Sequence, residues 1–293
     1  MEIRLWGTRG SVPAPGPHTL EFGGNTTCVE ILLQSGRRIV IDAGTGIRNL
    51  GNHLKAQGAS VRFHLLLTHN HWDHLLGLPF FDPIYWEDTE ILIDGWPLAF
   101  QALSRVFDDR TGDGFFPVAF DQLKAQITFI NRVARGPLVL EDVHIEALSV
   151  NHPQGCLGFR LREGDHTLVF ITDNELGQEG GRPFGDFVEF ARNCDLLIHD
   201  AQYLPEEMPE HRGWGHSTYE EAVRLAAEAG VKRLLLTHHD PGRSDTEVRD
   251  IVRKARQLVM GRKDAPKIDA AREGASYYLP EVVSVPSRQA LFP

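Results

Sequence analysis

The sequence predicts an α/β sandwich, with sheets inside and helices outside. Three observations carry that expectation. Short apolar runs bounded by turn residues recur along the chain and read as strands. Capped amphipathic segments read as helices, and they are interspersed among the strands. Several apolar runs also stop at a polar or titratable residue: Asp42, Thr68 before His69, Val150 before His152, Asp173, Asp200, and Thr237 before His238. Strands that deliver such groups at one end are how α/β sheets build sites along an edge.

In chain order, the loop over residues 11–24 carries Pro13, Pro15 and Pro17 and reads as a surface turn region folding over a site. Strands are expected over residues 28–33, 38–42, 61–68 and 90–94. A helix over 96–107 follows on weaker periodicity, then strands over 126–131, 144–150, 156–162, 167–173 and 195–200. The next helix spans 217–229, with Ser217 and Glu220 as a capping box and Gly230 as its stop. A strand over 233–237 leads to the helix over 244–260, where Ser244 and Glu247 repeat the box and Gly261 ends it. Its residues Val248, Ile251, Val252, Ala255, Leu258 and Val259 share one face. Residues 263–293 show no ligand-like pattern, and 276–285 are expected to add an edge strand. No repeat or Pro/Ser-rich linker divides the chain, so one domain over 1–293 is expected.

The 293 residues can bury a full core without staples. No stretch approaches the ~18 apolar residues of a membrane span, and the start, MEIRLWGTRG, lacks the apolar segment of a secretory signal. The cysteines Cys28, Cys156 and Cys194 are odd in number and far apart, which fits buried thiols in a reducing cytoplasm. A formal charge of -10 argues against a broad nucleic-acid surface while leaving room for a local basic pocket.

The 14 histidines are unevenly placed, and the strongest cluster is His69-Asn70-His71-Trp72-Asp73-His74. A chance HxHxDH is expected in roughly 1 in 500 sequences of this composition, so a histidine-rich loop is the poorer account. Alternate residues of an extended segment face the same way, so His69 and His71 can grip one cation. Asp73 and His74 lie where the chain should turn and can point at a second. Further donors arrive at strand ends: His152, Asp173, and the pair His238 and His239. Three imidazoles on one cation, a shared carboxylate and a His/Asp mixture on the other is the set a two-metal site needs. Phe80, Phe81, Phe115, Phe116, Trp72 and Trp214 can line a pocket or belong to the core.

THNHWDH, NHP, FITDNE and LTHH resemble, in order and spacing, the metallo-β-lactamase superfamily of dinuclear hydrolases. IHDAQY, GHST and LTH resemble its phosphodiesterase branch, which holds ribonuclease Z and the phosphoribosyl cyclic phosphodiesterases, and WGTRGS and GGNTTC resemble a bacterial subgroup near the latter. The resemblance runs from Leu5 to about Asp240 and implies an αββα sandwich of two mixed sheets flanked by helices. It implies that His69, His71 and His152 hold one metal and that Asp73, His74 and His238 hold the other, with Asp173 bridging. His239 is the alternative to His238, and strand alternation turns it away. Asp42 is expected behind the ligands, holding one of them or the motif loop. Asp73, His216 and Asp200 are expected to serve the reaction itself, His216 at the phosphate or leaving group and Asp200 orienting it.

The implied cofactors are two divalent ions, zinc first, with manganese or iron admitted by the all-nitrogen and oxygen donors. The implied reaction is attack by a bridging hydroxide on a small or cyclic phosphodiester. Hydrolysis of a lactone, thioester or amide on the same site, or a sensor module without turnover, are the competing readings. Between Tyr203 and Gly215 stands a short acidic segment, LPEEMPEHRGW, instead of a glycine-rich basic arm. Long RNA is therefore not expected as substrate. No membrane contact is expected, and pairing into a homodimer follows from resemblance. Arg9, Arg48, Arg110, Arg182 and Arg243 are candidate phosphate contacts.

Overall fold

The computed structural model describes residues 1–58, 61–108, 116–140 and 142–279. The chain begins with β1 (Glu2–Gly7), β2 (Cys28–Leu32), β3 (Arg38–Ile41), helix α1 (Ile47–Gln57) and β4 (Arg62–Leu67). A one-turn helix α2 (Trp72–Leu75) leads to β5 (Glu90–Gly95), α3 (Ala99–Val106), the short pair β6 (Phe107–Asp108) and β7 (Phe116–Ala119), and β8 (Gln126–Phe129). Then come β9 (Leu138–Leu140), β10 (Val143–Val150), β11 (Cys156–Glu163), β12 (His166–Ile171), α4 (Phe184–Ala191) and β13 (Leu196–Asp200). The last part holds α5 (Met208–His211), α6 (Tyr219–Glu228), β14 (Arg233–Thr237), α7 (Asp245–Leu258), β15 (Lys267–Ala270) and β16 (Ser276–Tyr278).

The strands form two mixed seven-stranded sheets, ordered β16-β1-β2-β3-β4-β5-β8 and β15-β14-β13-β12-β11-β10-β9. Each switches from antiparallel to parallel pairing part-way, at β3 in the first and β12 in the second. Parallel strands β3 and β4 of one sheet, and β12, β13 and β14 of the other, all end on the site. Side chains alternate between two cores, as the pleat requires. Leu168 and Phe170 of β12 join Ile31, Ile39 and Leu66 of the first sheet between the sheets. Val169 and Ile171 face outward onto Phe187 of α4 and Ala222 of α6. On the far side Phe63, Leu65 and Leu67 of β4 pack with Ile47 and Leu50 of α1 and Leu103 of α3. The result is the expected αββα sandwich, in which each fully buried Leu, Ile or Phe contributes about 1.5–3 kcal/mol.

Some elements lie outside the sequence expectation. Strand β1 was not foreseen because only Ile3, Leu5 and Gly7 are buried, a short alternation beside a loop. Helix α1 starts at Gly46 with no side-chain cap, so its N-terminus carries no signal, although Gly58 closes it in the left-handed conformation. Helix α4 starts after Pro183, also uncapped by a side chain. Helix α6 is capped one residue later than expected, by Thr218 and Glu221. Ser217 is buried and occupied elsewhere: its hydroxyl donates to the Asn174 carbonyl and its N–H donates to Asp200. Helix α7 keeps the expected box of Ser244 and Glu247. The expected strand over 276–285 is seen as β16, and its later part, with Arg110 and Phe115, lies outside the described residues. Cys28, Cys156 and Cys194 are all buried and unpaired. Among the described residues no helix is long and apolar enough to cross a membrane.

Candidate active site

The residues singled out at strand ends converge. His69 follows β4, and His71, Asp73 and His74 follow within the turn that becomes α2. His152 lies in the turn between β10 and β11, Asp173 follows β12, and His238 follows β14. One group gathers donor atoms of His69, His71 and His152, and a second those of Asp73, His74, Asp173 and His238, each set within 4.8 Å. Asp173 reaches toward both: its Oδ1 is 3.8 Å from His69 Nε2, 3.9 Å from His152 Nε2 and 3.4 Å from His238 Nε2, and its Oδ2 is 3.3 Å from His74 Nε2. Asp73 Oδ2 lies 3.2 Å from both His74 Nε2 and His238 Nε2. His152 Nε2 and His71 Nδ1 face each other at 3.1 Å.

The outer nitrogens of four imidazoles are occupied, which sets their tautomers. His74 Nδ1 donates to Asp42 Oδ2 at 2.7 Å. His69 Nδ1 donates to Thr68 Oγ1 at 3.0 Å, and that hydroxyl donates to Asp42. His152 Nδ1 donates to the Gly215 carbonyl at 3.0 Å, and His238 Nδ1 to Gln202 Oε1 at 2.8 Å. Each Nε2 lone pair therefore faces inward. That of His69 is buried with no hydrogen-bond partner, a costly state unless a cation takes it, and that of His74 meets only the carboxylates of Asp73 and Asp173. The donor set thus fits divalent metal.

The backbone is strained where it delivers these groups. Asp42, Asp173 and His238 all have positive φ, at 62°, 55° and 57°, a conformation held only when the surroundings impose it. Gly10 packs so closely on the His238 ring, and Gly215 on His152, that a Cβ at either would overlap it. Ser11 N–H donates to Asp73 Oδ2 at 2.8 Å, so the loop after β1 does reach the site.

Electrostatics prepares the donors. Burial pushes the pKa of His69 well down, that of His71 down and that of His152 down to about 4, leaving neutral imidazoles. Burial alone would raise Asp73 and Asp173, but the charges of His74 and His238 outweigh it and hold both well below the usual carboxylate range. Burial opposes a proton on His74, and Asp73, Asp173 and Asp42 overcome it and push this imidazole well up. A cation at the same place displaces that proton.

His216 stands beside the cluster, grouped with His152 and Asp173 on one side and with Asp200 and His238 on the other. Its Nδ1 donates to Asp200 Oδ2 at 3.1 Å. Asp200 also accepts the N–H groups of Asn174 and Ser217. Asp42 is fully buried behind His74 and His69. His239 turns away, its Nε2 donating to the Ala271 carbonyl at 3.0 Å.

The arginines are placed elsewhere. Arg9 is fully buried and donates to the carbonyls of Gly23, Asp240 and Arg243. Arg243 pairs with Glu207, Arg182 with Asp186, and Arg48 is exposed on α1. The aromatics divide: Phe81 is core and Phe116 is half-buried, while Trp72, Phe80 and Trp214 are exposed. Gln202, Thr68 and Ser11 were not foreseen as parts of the site. Gln202 sits inside the IHDAQY motif, Thr68 directly before His69, and Ser11 ends WGTRGS and opens the loop expected over the site, but its contact is made by the backbone.

Residues 37–239 match the family model described as "Beta-lactamase superfamily domain". Ribonuclease Z of Archaeoglobus fulgidus is 29% identical, covering 81% of this chain and 86% of its own length. Ribonuclease Z of Haloferax volcanii is 26% identical, covering 81% and 84%. The crystal structure of the metallo-beta-lactamase fold protein YhfI from Bacillus subtilis superposes with a TM-score of 0.70 at 20% identity, over 94% of this chain and 98% of that one. These relatives overturn one expectation. Long RNA was set aside because the chain is acidic and the segment before Gly215 is short, yet relatives matching four-fifths of the chain bear the name of a ribonuclease. Net charge is a poor guide here, because it says nothing about the charge at a local site. The chain belongs to the beta-lactamase superfamily and is a metal-dependent hydrolase.

Proposed function

We propose that the protein hydrolyses phosphodiesters, RNA included, with two divalent cations held by the cluster. His69, His71 and His152 hold one; Asp73, His74 and His238 hold the other; Asp173 is shared. Imidazole and carboxylate donors suit zinc first, and also manganese or iron. The cations supply Lewis acidity toward a phosphoryl oxygen and an acidified water. The observation that carries the phosphodiester reading is His216, which stands against both donor groups with its Nδ1 held by Asp200. That leaves Nε2 to carry a proton to the departing oxygen, a role worth ~10²–10⁴ in rate. Asp200, itself held by two backbone N–H groups, fixes the ring and supports its charge. The N-terminus of α6 begins at Thr218, two residues on, and adds a positive field for an anion.

The relatives' name supports RNA, and small diesters carry the same scissile group, so both are tested. The test presents metal-defined protein with bis(p-nitrophenyl) phosphate, a 3′-extended RNA hairpin, a lactone and a thioester. Cleavage of a diester is expected. Opening of the lactone or thioester with both diesters intact would overturn the proposal.

A further inference from the structure

We propose that helix α7 and the segment after it form a basic band that docks an RNA backbone outside the metal cluster. This rests on the phosphodiester reading, RNA included, and names the surface that holds the chain away from the scissile bond. The whole chain has a formal charge of -10, yet residues 249–272 hold eight Lys and Arg against Asp250, Asp264 and Asp269. Five of the eight are arginines, whose planar fork suits phosphate oxygens. Arg249, Arg253 and Arg256 fall at i, i+4 and i+7 on one face of α7, and all three are exposed. They line a hollow of about 590 Å³ together with Phe22, Val252 and Tyr277. A second hollow of about 620 Å³ shares Arg256 and Asp269 with it and adds Arg262 and Lys267.

The positive charge is positioned rather than cancelled. Glu21 accepts both Arg249 and Arg272, at 2.9 and 2.8 Å, and Asp269 accepts both Arg256 and Arg233. Two guanidiniums on one carboxylate leave each group net positive. Arg272 also lies 5.2 Å over the Phe22 ring, a stack that fixes its direction. Arg253 pairs with Asp250 on its own helix. Exposed pairs of this kind are weak, so a phosphate can take the carboxylate's place. The band starts beside the site. Helix α7 begins seven residues after His238, and its first residue, Asp245, accepts the N–H groups of Glu21 and Phe22. The same loop reaches Asp73 through Ser11. From there the 14 residues of α7 extend about 20 Å, a length that serves a polyanion rather than a single phosphate. A lipid surface would meet the same charge but has no use for continuity with the metal cluster.

The test compares two triple variants of equal net charge. One carries Arg253→Gln, Arg262→Gln and Lys267→Gln in the band; the control carries Arg62→Gln, Lys124→Gln and Arg192→Gln, exposed cations outside it. Both are checked for unchanged metal content and unfolding midpoint. Binding of a labelled blunt RNA hairpin to the metallated proteins is followed by anisotropy across a salt series, with the RNA confirmed intact. The band variant should bind about 10-fold more weakly, and its slope of log K against log salt should shrink by about 1 for each contact removed. The control should bind like the wild type. On a 3′-extended hairpin the band variant should raise KM and keep kcat, and its rate on bis(p-nitrophenyl) phosphate should match the wild type. Equal losses in both variants, no loss in the band variant, or no hairpin binding by the wild type overturns the band. Binding to phosphatidylserine vesicles without binding to the hairpin overturns it too. If the metallated wild type cleaves neither diester, the phosphodiester reading falls, and the hairpin titration alone then decides whether the band holds RNA.

Discussion

Asp42 lies behind the cluster, and it sets the direction of two imidazoles: His74 directly, and His69 through the Thr68 hydroxyl. Asn at this position keeps the shape and tolerates the positive φ but removes the charge. Asp42→Asn is expected to weaken metal affinity by ~10–100-fold, measured by competition with a chromophoric chelator. His239 predicts a pH effect. Burial pushes its pKa from 6.5 to about 3, so it folds neutral. Between those values the unfolded imidazole binds a proton that the folded one lacks. Stability therefore rises with pH across that window and is lost as pH falls through it. Urea midpoints should drop from pH 6.5 toward acid, and His239→Gln should flatten that slope. At this scale the seven clustered side chains were legible as chemistry-bearing residues, four in one motif and three at strand ends, and their role as metal donors is the proposal. Gln202 and Ser11 were not, because they meet His238 and Asp73 only after distant segments fold together.

At the scale of elements, helix α6 shows how a local signal can be right in kind and displaced in position. GHST holds two candidate caps, Ser217 and Thr218, and each has a carboxylate three residues on. Tertiary contacts decide: Ser217 is taken by Asn174 and Asp200, so Thr218 caps. Thr218→Ala should lower stability by about 1 kcal/mol in urea unfolding, the cost of losing one cap. The long apolar strands were legible because both faces are buried, so their sequences are apolar throughout. Strands β1 and β15 were missed because they mix buried with half-buried or exposed residues, and β15 has only four. Helix α1 was missed because its first turn has no capping side chain.

At the scale of the whole molecule, β16 near the C-terminus pairs with β1, so the first sheet joins the two ends of the described chain. One core joins residues of both sheets. This supports the proposal of a single folding unit, which predicts one cooperative thermal transition. Chelation should lower its midpoint, since cations bind only the folded cluster, by an amount set by metal concentration over Kd. Two separated transitions would contradict it. The formal charge of -10 belongs to the whole chain and says nothing about the charge at a local site, so it is no argument against RNA.

The most direct test of the central claim is the leaving-group dependence of His216→Ala. The variant and wild type, shown to carry equal metal, are compared on bis(p-nitrophenyl) phosphate and on a dinucleotide whose leaving oxygen is an alkoxide. A nitrophenolate departs without a proton and an alkoxide does not. The account predicts a loss of ~10²–10⁴ on the dinucleotide and a much smaller one on the nitrophenyl ester. Equal rates for variant and wild type on both diesters, or no diester hydrolysis by the metallated wild type, would contradict it.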